Sequence, residues 1–376
     1  MFAYDVAHPE RFLHADRALE RMSAIENWRQ VAAHGIAGDW LPQALLWHAG
    51  GQLFVIAVQV ILALASVLWV RDIGLRIGFS ERRASAAALV YALLPHTLVY
   101  PHQLASEAIF VPLVVLAFRL GSGGAGGLAL GFATLVRPVV ALWPLAQVFL
   151  GRAPFRQRAA FLALAAVPLI VWVAYVHYAT GEFSMGRSGH DLGSNLYYRM
   201  HRMAPQDAPV RGEGERRAGV VEYLRFAAAH PAAAAAHGAR DLVTLGVKSG
   251  IERLTLDYLD LFPQAREALQ NPAAGWRANV ESRGALATLV ELVRAQPGLM
   301  ASSLIGSALF VILMALALRG FFVLRHRRAA LVLGAFVLYI AATAQLVDAA
   351  QSRHRAPAEF ALCLLAVAGW GRTRVR

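Results

Sequence analysis

Residues 128–150 read LALGFATLVRPVVALWPLAQVFL, and the way this stretch is divided decides the fold. As one helix it is long enough to cross a bilayer core of roughly 30 Å. That reading puts Arg152, Arg156 and Arg158 on the opposite side from Arg71, Arg76, Arg82 and Arg83, and it inverts every later loop. As two short helices meeting at Arg137-Pro138, the stretch turns back and leaves all the basic clusters on one side. A proline pushes the residue before it out of helix geometry, so the break is expected at Arg137. Each arm is too short to span, and a hairpin of this kind must be buried among other helices.

The composition agrees with a membrane setting. The chain has 376 residues, 57% of them hydrophobic and only 16% charged, with a mean hydropathy of +0.47. Soluble domains carry about 25% charged residues, so a soluble enzyme and a disordered chain are both poor readings. The net charge is +12 and the pI is about 10.6. The basic residues concentrate in the short connections 71–83, 119, 151–158, 319–328 and 371–376, whereas residues 1–50 and 179–298 are nearly balanced. That is the positive-inside pattern of a polytopic membrane protein, not the continuous basic face of a nucleic-acid groove, and no nucleic-acid partner is expected. The single cysteine, Cys363, lies in an apolar run and can form neither an internal disulfide nor a multi-cysteine metal site.

From the hairpin outward, the hydropathy places crossings at 51–70, 84–100, 103–120, 159–178, 299–318, 329–347 and 356–371. Four regions follow. Residues 1–50 are an extracytoplasmic N-terminal segment in which Leu19, Met22, Ile25 and Trp28 recur at helical spacing. Residues 51–178 are an N-terminal transmembrane region holding the hairpin. Residues 179–298 are a long extracytoplasmic loop of helical pattern, with turns at Pro231 and around Pro272. Residues 299–376 are a C-terminal transmembrane region. The expected fold class is an all-α, polytopic integral membrane protein. A further membrane helix upstream of residue 1 is one arrangement that returns the N-terminus to the basic side.

No Walker loop, Gly-x-Ser-x-Gly elbow, His-Glu-x-x-His or dinucleotide fingerprint is present, which argues against ATP hydrolysis and zinc proteolysis. What remains is a set of ionisable residues expected at one membrane face, where such groups are costly and default to function. Asp16 lies in the N-terminal segment, Glu107 near the start of an apolar helix, Arg137 at the hairpin apex, and Arg353 and Arg355 before Pro357. An internal ion pair between Glu107 and Arg137 is as good a reading as ligand contact, and the two are compatible. Asn195 and Tyr197 are candidates to hydrogen-bond a polar substrate, and His102 joins them. His96 and His102 both also read as structural histidines. Trp40, Trp47 and Trp143 read as interfacial or packing aromatics.

The order of these features resembles the GT-C glycosyltransferases, membrane enzymes that use polyprenyl-phosphate sugars and include protein mannosyltransferases and the lipid A aminoarabinose transferase. The resemblance rests on an acidic N-terminal residue followed by Leu41-Pro42; on Tyr91-Ala92-Leu93-Leu94-Pro95 leading to Ser106-Glu107; and on Gly131 to Pro138, similar to the family's Leu-x-Arg-Pro element. It continues through Gly181-Glu182-Phe183, Gly193 to Tyr197, His230-Pro231, and Ser352 to Pro357, similar to an Arg-Tyr-Arg-x-Pro ending. The sequence departs from the family in having His354 where Tyr is usual, Arg17 after Asp16 in place of a paired acid, and no counterpart of the first membrane helix.

The resemblance implies a GT-C-like helical bundle. The implied activity moves a sugar from a polyprenyl-phosphate donor to a lipid, glycan or protein acceptor, with inversion, on the periplasmic side of a bacterial inner membrane. Asp16 would be the catalytic base, with Asp5 and Asp39 in reserve. Glu107, Arg137, Arg353, Arg355, Asn195, Tyr197 and His102 would bind substrate, with no cofactor and no metal. A transporter or lipid flippase, and a non-catalytic assembly protein of the same fold, are the competing readings.

Overall fold

The computed structural model describes residues 37–181, 188–212, 217–259, 296–346 and 351–370, with a few isolated positions between them. Every regular element among the described residues is helical. The elements run α1 (Ala37–Arg76), α2 (Glu81–Ala92), α3 (Pro95–Val99), α4 (Glu107–Leu120), α5 (Gly124–Val136), α6 (Trp143–Leu150) and α7 (Phe155–Thr180). There follow α8 (Ser188–Met203), α9 (Val220–Ala229), α10 (Pro231–Val247), α11 (Pro297–Leu324), α12 (Arg328–Thr343) and α13 (Glu359–Gly369).

Four helical stretches are long and apolar enough to cross a bilayer: Pro42–Arg76, Phe155–Thr180, Pro297–Leu324 and Arg328–Leu346. Their outer faces are apolar and bare. Ile61, Leu64, Leu68, Ile170, Val171, Leu304, Leu309 and Leu338 are each 61% to 71% exposed. Apolar surface on that scale is stable against lipid and not against water. The chain is a helical membrane protein.

Several expected crossings take another form. The crossing at 51–70 is preceded by a further helical stretch from Ala37; the two meet at Gly50-Gly51, where both residues are non-helical and Gly51 has φ +69°, and the second runs on to Arg76. The segment 84–100 bends by 66° between α2 and the Pro95–His102 turn, because Pro95 starts a new helix at its own N-terminus. The segments 103–120 and 356–371 yield α4, of 14 residues, and α13, of 11. At 1.5 Å per residue α4 rises roughly 21 Å, short of a bilayer core of roughly 30 Å, whereas α13 adds roughly 17 Å to the 3-10 turn Ser352–Ala358 that leads straight into it. All 11 residues of α13 are buried, so it is a central helix sheathed by the others. Hydropathy alone does not separate a lipid-facing helix from one buried in protein.

The break at Arg137-Pro138 is present. Arg137 is extended (φ −145°, ψ 116°) between α5 and a short 3-10 turn, Pro138–Val140. The two arms return to the same end: a Cβ on Gly151, after α6, would sit 3.6 Å from Ser122 Oγ, before α5. The apex is pinned by Tyr339 of α12, whose hydroxyl donates to the Val139 carbonyl (2.7 Å) and accepts from the Leu142 N–H (3.3 Å). Small residues let the arms lie deep. A Cβ on Gly127 or Gly131 would come within 2.1 Å and 2.4 Å of carbonyl oxygens of α7. Gly320 and Gly369 allow the same approach between α11 and α13.

The basic connections gather at one end. Arg119 pairs with Asp72 (2.9 Å), Arg76 donates to the Arg119 carbonyl, Arg327 to the Ile77 carbonyl (3.1 Å) and Arg328 to the Leu150 carbonyl (3.2 Å). These arginines tie down helix ends whose last carbonyls have no partner within the helix. At the other end of the bundle α8, α9 and α10 form a cap layer. It is joined to the end of α12 by Arg199, which pairs with Asp241 (2.7 Å) and donates to Tyr223 Oη (3.0 Å) and Gln345 Oε1 (3.0 Å).

Candidate functional site

The breaks in the buried helices cluster at the capped end, and the polar side chains cluster with them. Short helices leave backbone irregular there, which membrane proteins tolerate only where it is buried or lines a cavity. A narrow cleft opens between α1, α2, α4 and the 3-10 turn Ser352–Ala358. Its polar lining includes Ser66, Thr97, His96, Glu107 and Glu359, with Tyr91 and Tyr100.

Two carboxylates line the cleft, and each is held by an arginine. Glu107, at the start of α4, accepts from Arg137 Nη1 (2.7 Å) through Oε1 and from Ser106 Oγ (3.2 Å) through Oε2. Arg137 stays partly exposed at the hairpin apex. Glu359, at the start of α13, faces His96 Nδ1 (2.7 Å) and Arg355 Nε (3.2 Å), both at Oε1. His96 Nε2 lies 3.3 Å from Ser352 Oγ. Arg355 is almost wholly buried. Its Nη1 donates to the Leu245 carbonyl of the cap layer, and its guanidinium lies 3.6 Å from the centre of the Phe310 ring.

The structure thus brings Glu107, Arg137 and Arg355 to one end, around one cleft. Arg353 is half-buried on the same turn as Arg355. His354, the residue standing where the resembling family has Tyr, accepts from the Gln351 backbone N–H through Nδ1 (3.0 Å) and caps that turn. Asn195 and Tyr197 are elsewhere, on α8. Tyr197 is buried with Leu196, Met200 and Tyr223 in the core of the cap layer, its ring 4.5 Å from His201 and its hydroxyl accepting from the Arg211 N–H. His102 is buried beside the cleft without lining it. Trp143 packs in the core against Phe118, Phe336 and Tyr339. Asp16 and Asp5 lie outside the described residues, as does the side chain of Asp39.

Sequence reasoning read His96 as a structural histidine, took Ser352 only as the start of the Arg-Tyr-Arg-x-Pro-like element, and passed over Glu359. Glu359 carried a signal: it is an acid opening an otherwise apolar run, four residues after an arginine, a spacing that puts the two on one helix face. His96 carried none that separated it from His102. Among the described residues no three His, Cys, Asp or Glu side chains come together as a metal site.

The fold and this site define a class: a helical membrane protein with an ion-paired polar cleft at the end away from its basic connections. Comparisons with protein-family models, with curated proteins and with solved structures each give no match for the chain.

Proposed function

We propose that the protein is a membrane glycosyltransferase of the GT-C kind, taking a sugar from a polyprenyl-phosphate donor on the extracytoplasmic face. The observation that carries the reading is the placement of two arginine–carboxylate pairs around one cleft at the end opposite the basic, cytoplasm-favouring connections. A lipid-borne phosphate approaching from the bilayer needs fixed positive charge, and guanidinium groups supply it as paired donors. Arg137 is partly exposed and Glu107 holds one of its nitrogens, so the remaining donors face a defined direction. In the transfer step an acceptor oxygen attacks the anomeric carbon, the sugar–phosphate bond breaks, and the polyprenyl phosphate leaves as an anion. A carboxylate receives the acceptor's proton. Asp16 is assigned that role by the resemblance, and the cap layer is the surface over which an acceptor would arrive.

The test is a deletion strain complemented with wild type, Asp16→Asn or Arg137→Ala, with protein levels matched and lipid-linked sugars and surface glycans read by mass spectrometry. The deletion and both variants should accumulate one polyprenyl-phosphate sugar and lose one sugar from one glycan. A deletion that leaves both pools unchanged refutes the assignment. A donor that accumulates on the cytoplasmic face alone would point to a flippase.

A further inference from the structure

Arg355 is built differently from Arg199, the other arginine buried among the described residues. Three contacts fix it: Nε–H on Glu359, Nη1–H on the Leu245 carbonyl, and the ring of Phe310 under its plane. Its Nη2 is buried and has no hydrogen-bond partner among the described residues. A buried donor on a cation that goes unpaired is costly, and such groups in native proteins have a reason. The next residue, Ala356, and the acceptor Glu359 both line the cleft.

What holds Glu359 is held in turn. Oε1 takes Arg355 Nε–H and His96 Nδ1, so the imidazole proton belongs on Nδ1, and Nε2 accepts from the Ser352 hydroxyl. The imidazole lies parallel to Tyr100, 3° between planes and 5.3 Å between centres. Its other edge meets Gly250, whose φ is +85°; a Cβ there would stand 2.4 Å from His96 Nε2. Only glycine adopts that backbone freely and leaves that space.

The geometry points to His96, Glu359 and Gly250 as positioning residues that hold the Arg355 guanidinium with Nη2 reserved for the phosphate of a lipid ligand. This rests on the transferase reading for the identity of the ligand. The ion pair orients the arginine and the glycine locks the histidine, so the one unpaired nitrogen has a fixed place before any ligand arrives. That is preorganisation of a charge-assisted contact.

The experiment uses the full chain in lipid nanodiscs, with farnesyl phosphate as the probe and native mass spectrometry as the readout. Gly250→Ala, His96→Gln, Ser352→Ala and Arg355→Lys are compared at matched melting temperature. Gly250→Ala removes no polar group and touches no ligand, yet it should weaken binding about tenfold or more, the size of one charge-assisted hydrogen bond. In a transfer assay it should raise KM for the donor more than it lowers kcat. Ser352→Ala removes only the hydroxyl on Nε2 and serves if the bulkier change unfolds the protein; it should weaken binding in the same direction. Wild-type affinity in both folded variants, or no binding by the wild type, overturns the inference. A wild type that transfers sugar with KM unchanged in Gly250→Ala overturns it alone. Gly250-dependent binding with no transfer overturns the transferase reading and leaves the positioning role standing.

Discussion

Replacing Arg199 with Ala tests how the cap layer is held. Its side chain is 2% exposed, and that of Asp241, its partner, is 8% exposed. Removing the guanidinium deletes one short ion pair and two hydrogen bonds, to Tyr223 and Gln345. It also leaves the Asp241 carboxylate buried without its cation. Breaking a buried pair on one side costs about 3–5 kcal/mol, most of it the charge left behind. At about 1.4 kcal/mol per decade that is roughly two to four orders of magnitude in the opening equilibrium of the cap layer. Hydrogen exchange in nanodiscs reads this directly: amides of α8, α9 and α10 should exchange faster by that factor, while those of the sheathed α13 do not change. Replacing both partners, Arg199→Met with Asp241→Leu, should recover much of the loss, since an apolar pair of similar volume strands no charge. An Arg199→Ala change below about 1 kcal/mol, or one no larger than the double replacement, refutes the idea that this pair latches the layer.

Three further outcomes follow from the packing and the cap layer. Gly320→Ala places a Cβ 1.8 Å from the Leu365 carbonyl oxygen, so α11 and α13 must move apart; a loss of about 1–3 kcal/mol is expected in melting experiments. Gly123→Ala, where a Cβ meets nothing within 4 Å, should be neutral in the same measurement. His230, between α9 and α10, has its pKa raised by the Phe226 carbonyl on Nδ1 and then by Asp207 on Nε2. The charged imidazole is favoured in the folded state, so its contribution is complete below the ordinary histidine pKa of about 6.5 and is lost as pH rises through the raised folded value. Exchange at the α9–α10 junction should therefore quicken, beyond the intrinsic pH effect, from pH 6 to pH 8 in the wild type, and show no such excess in His230→Gln.

The hairpin shows how far local chemistry carries. Proline before a short apolar arm, with arginines on both flanks, allows one arrangement that keeps the basic clusters together, and the contacts among Arg76, Arg119, Arg327 and Arg328 at one end are that arrangement. The Glu107–Arg137 pair was legible for the same reason, as two lone charges in apolar surroundings that must find each other. Span lengths were less legible. Segments 103–120 and 356–371 have the composition of lipid-facing crossings, yet α4 is short and α13 is buried in protein along its whole length, because an apolar side chain is equally satisfied by lipid and by another helix.

Composition, charge placement and the positions of proline and glycine therefore determined that the chain is a helical membrane protein, which end carries its arginines, and where its buried hairpin breaks. These follow from transfer energies and backbone restrictions that each segment has by itself. Only the tertiary structure decided that His96 faces Glu359, that Arg355 reaches from Glu359 to the cap layer, and that Tyr197 packs in the core of that layer. Those choices depend on which helix lies beside which, across separations such as 263 residues between His96 and Glu359. No local pattern encodes contacts at that distance, because the energies that select them arise only when the bundle has closed.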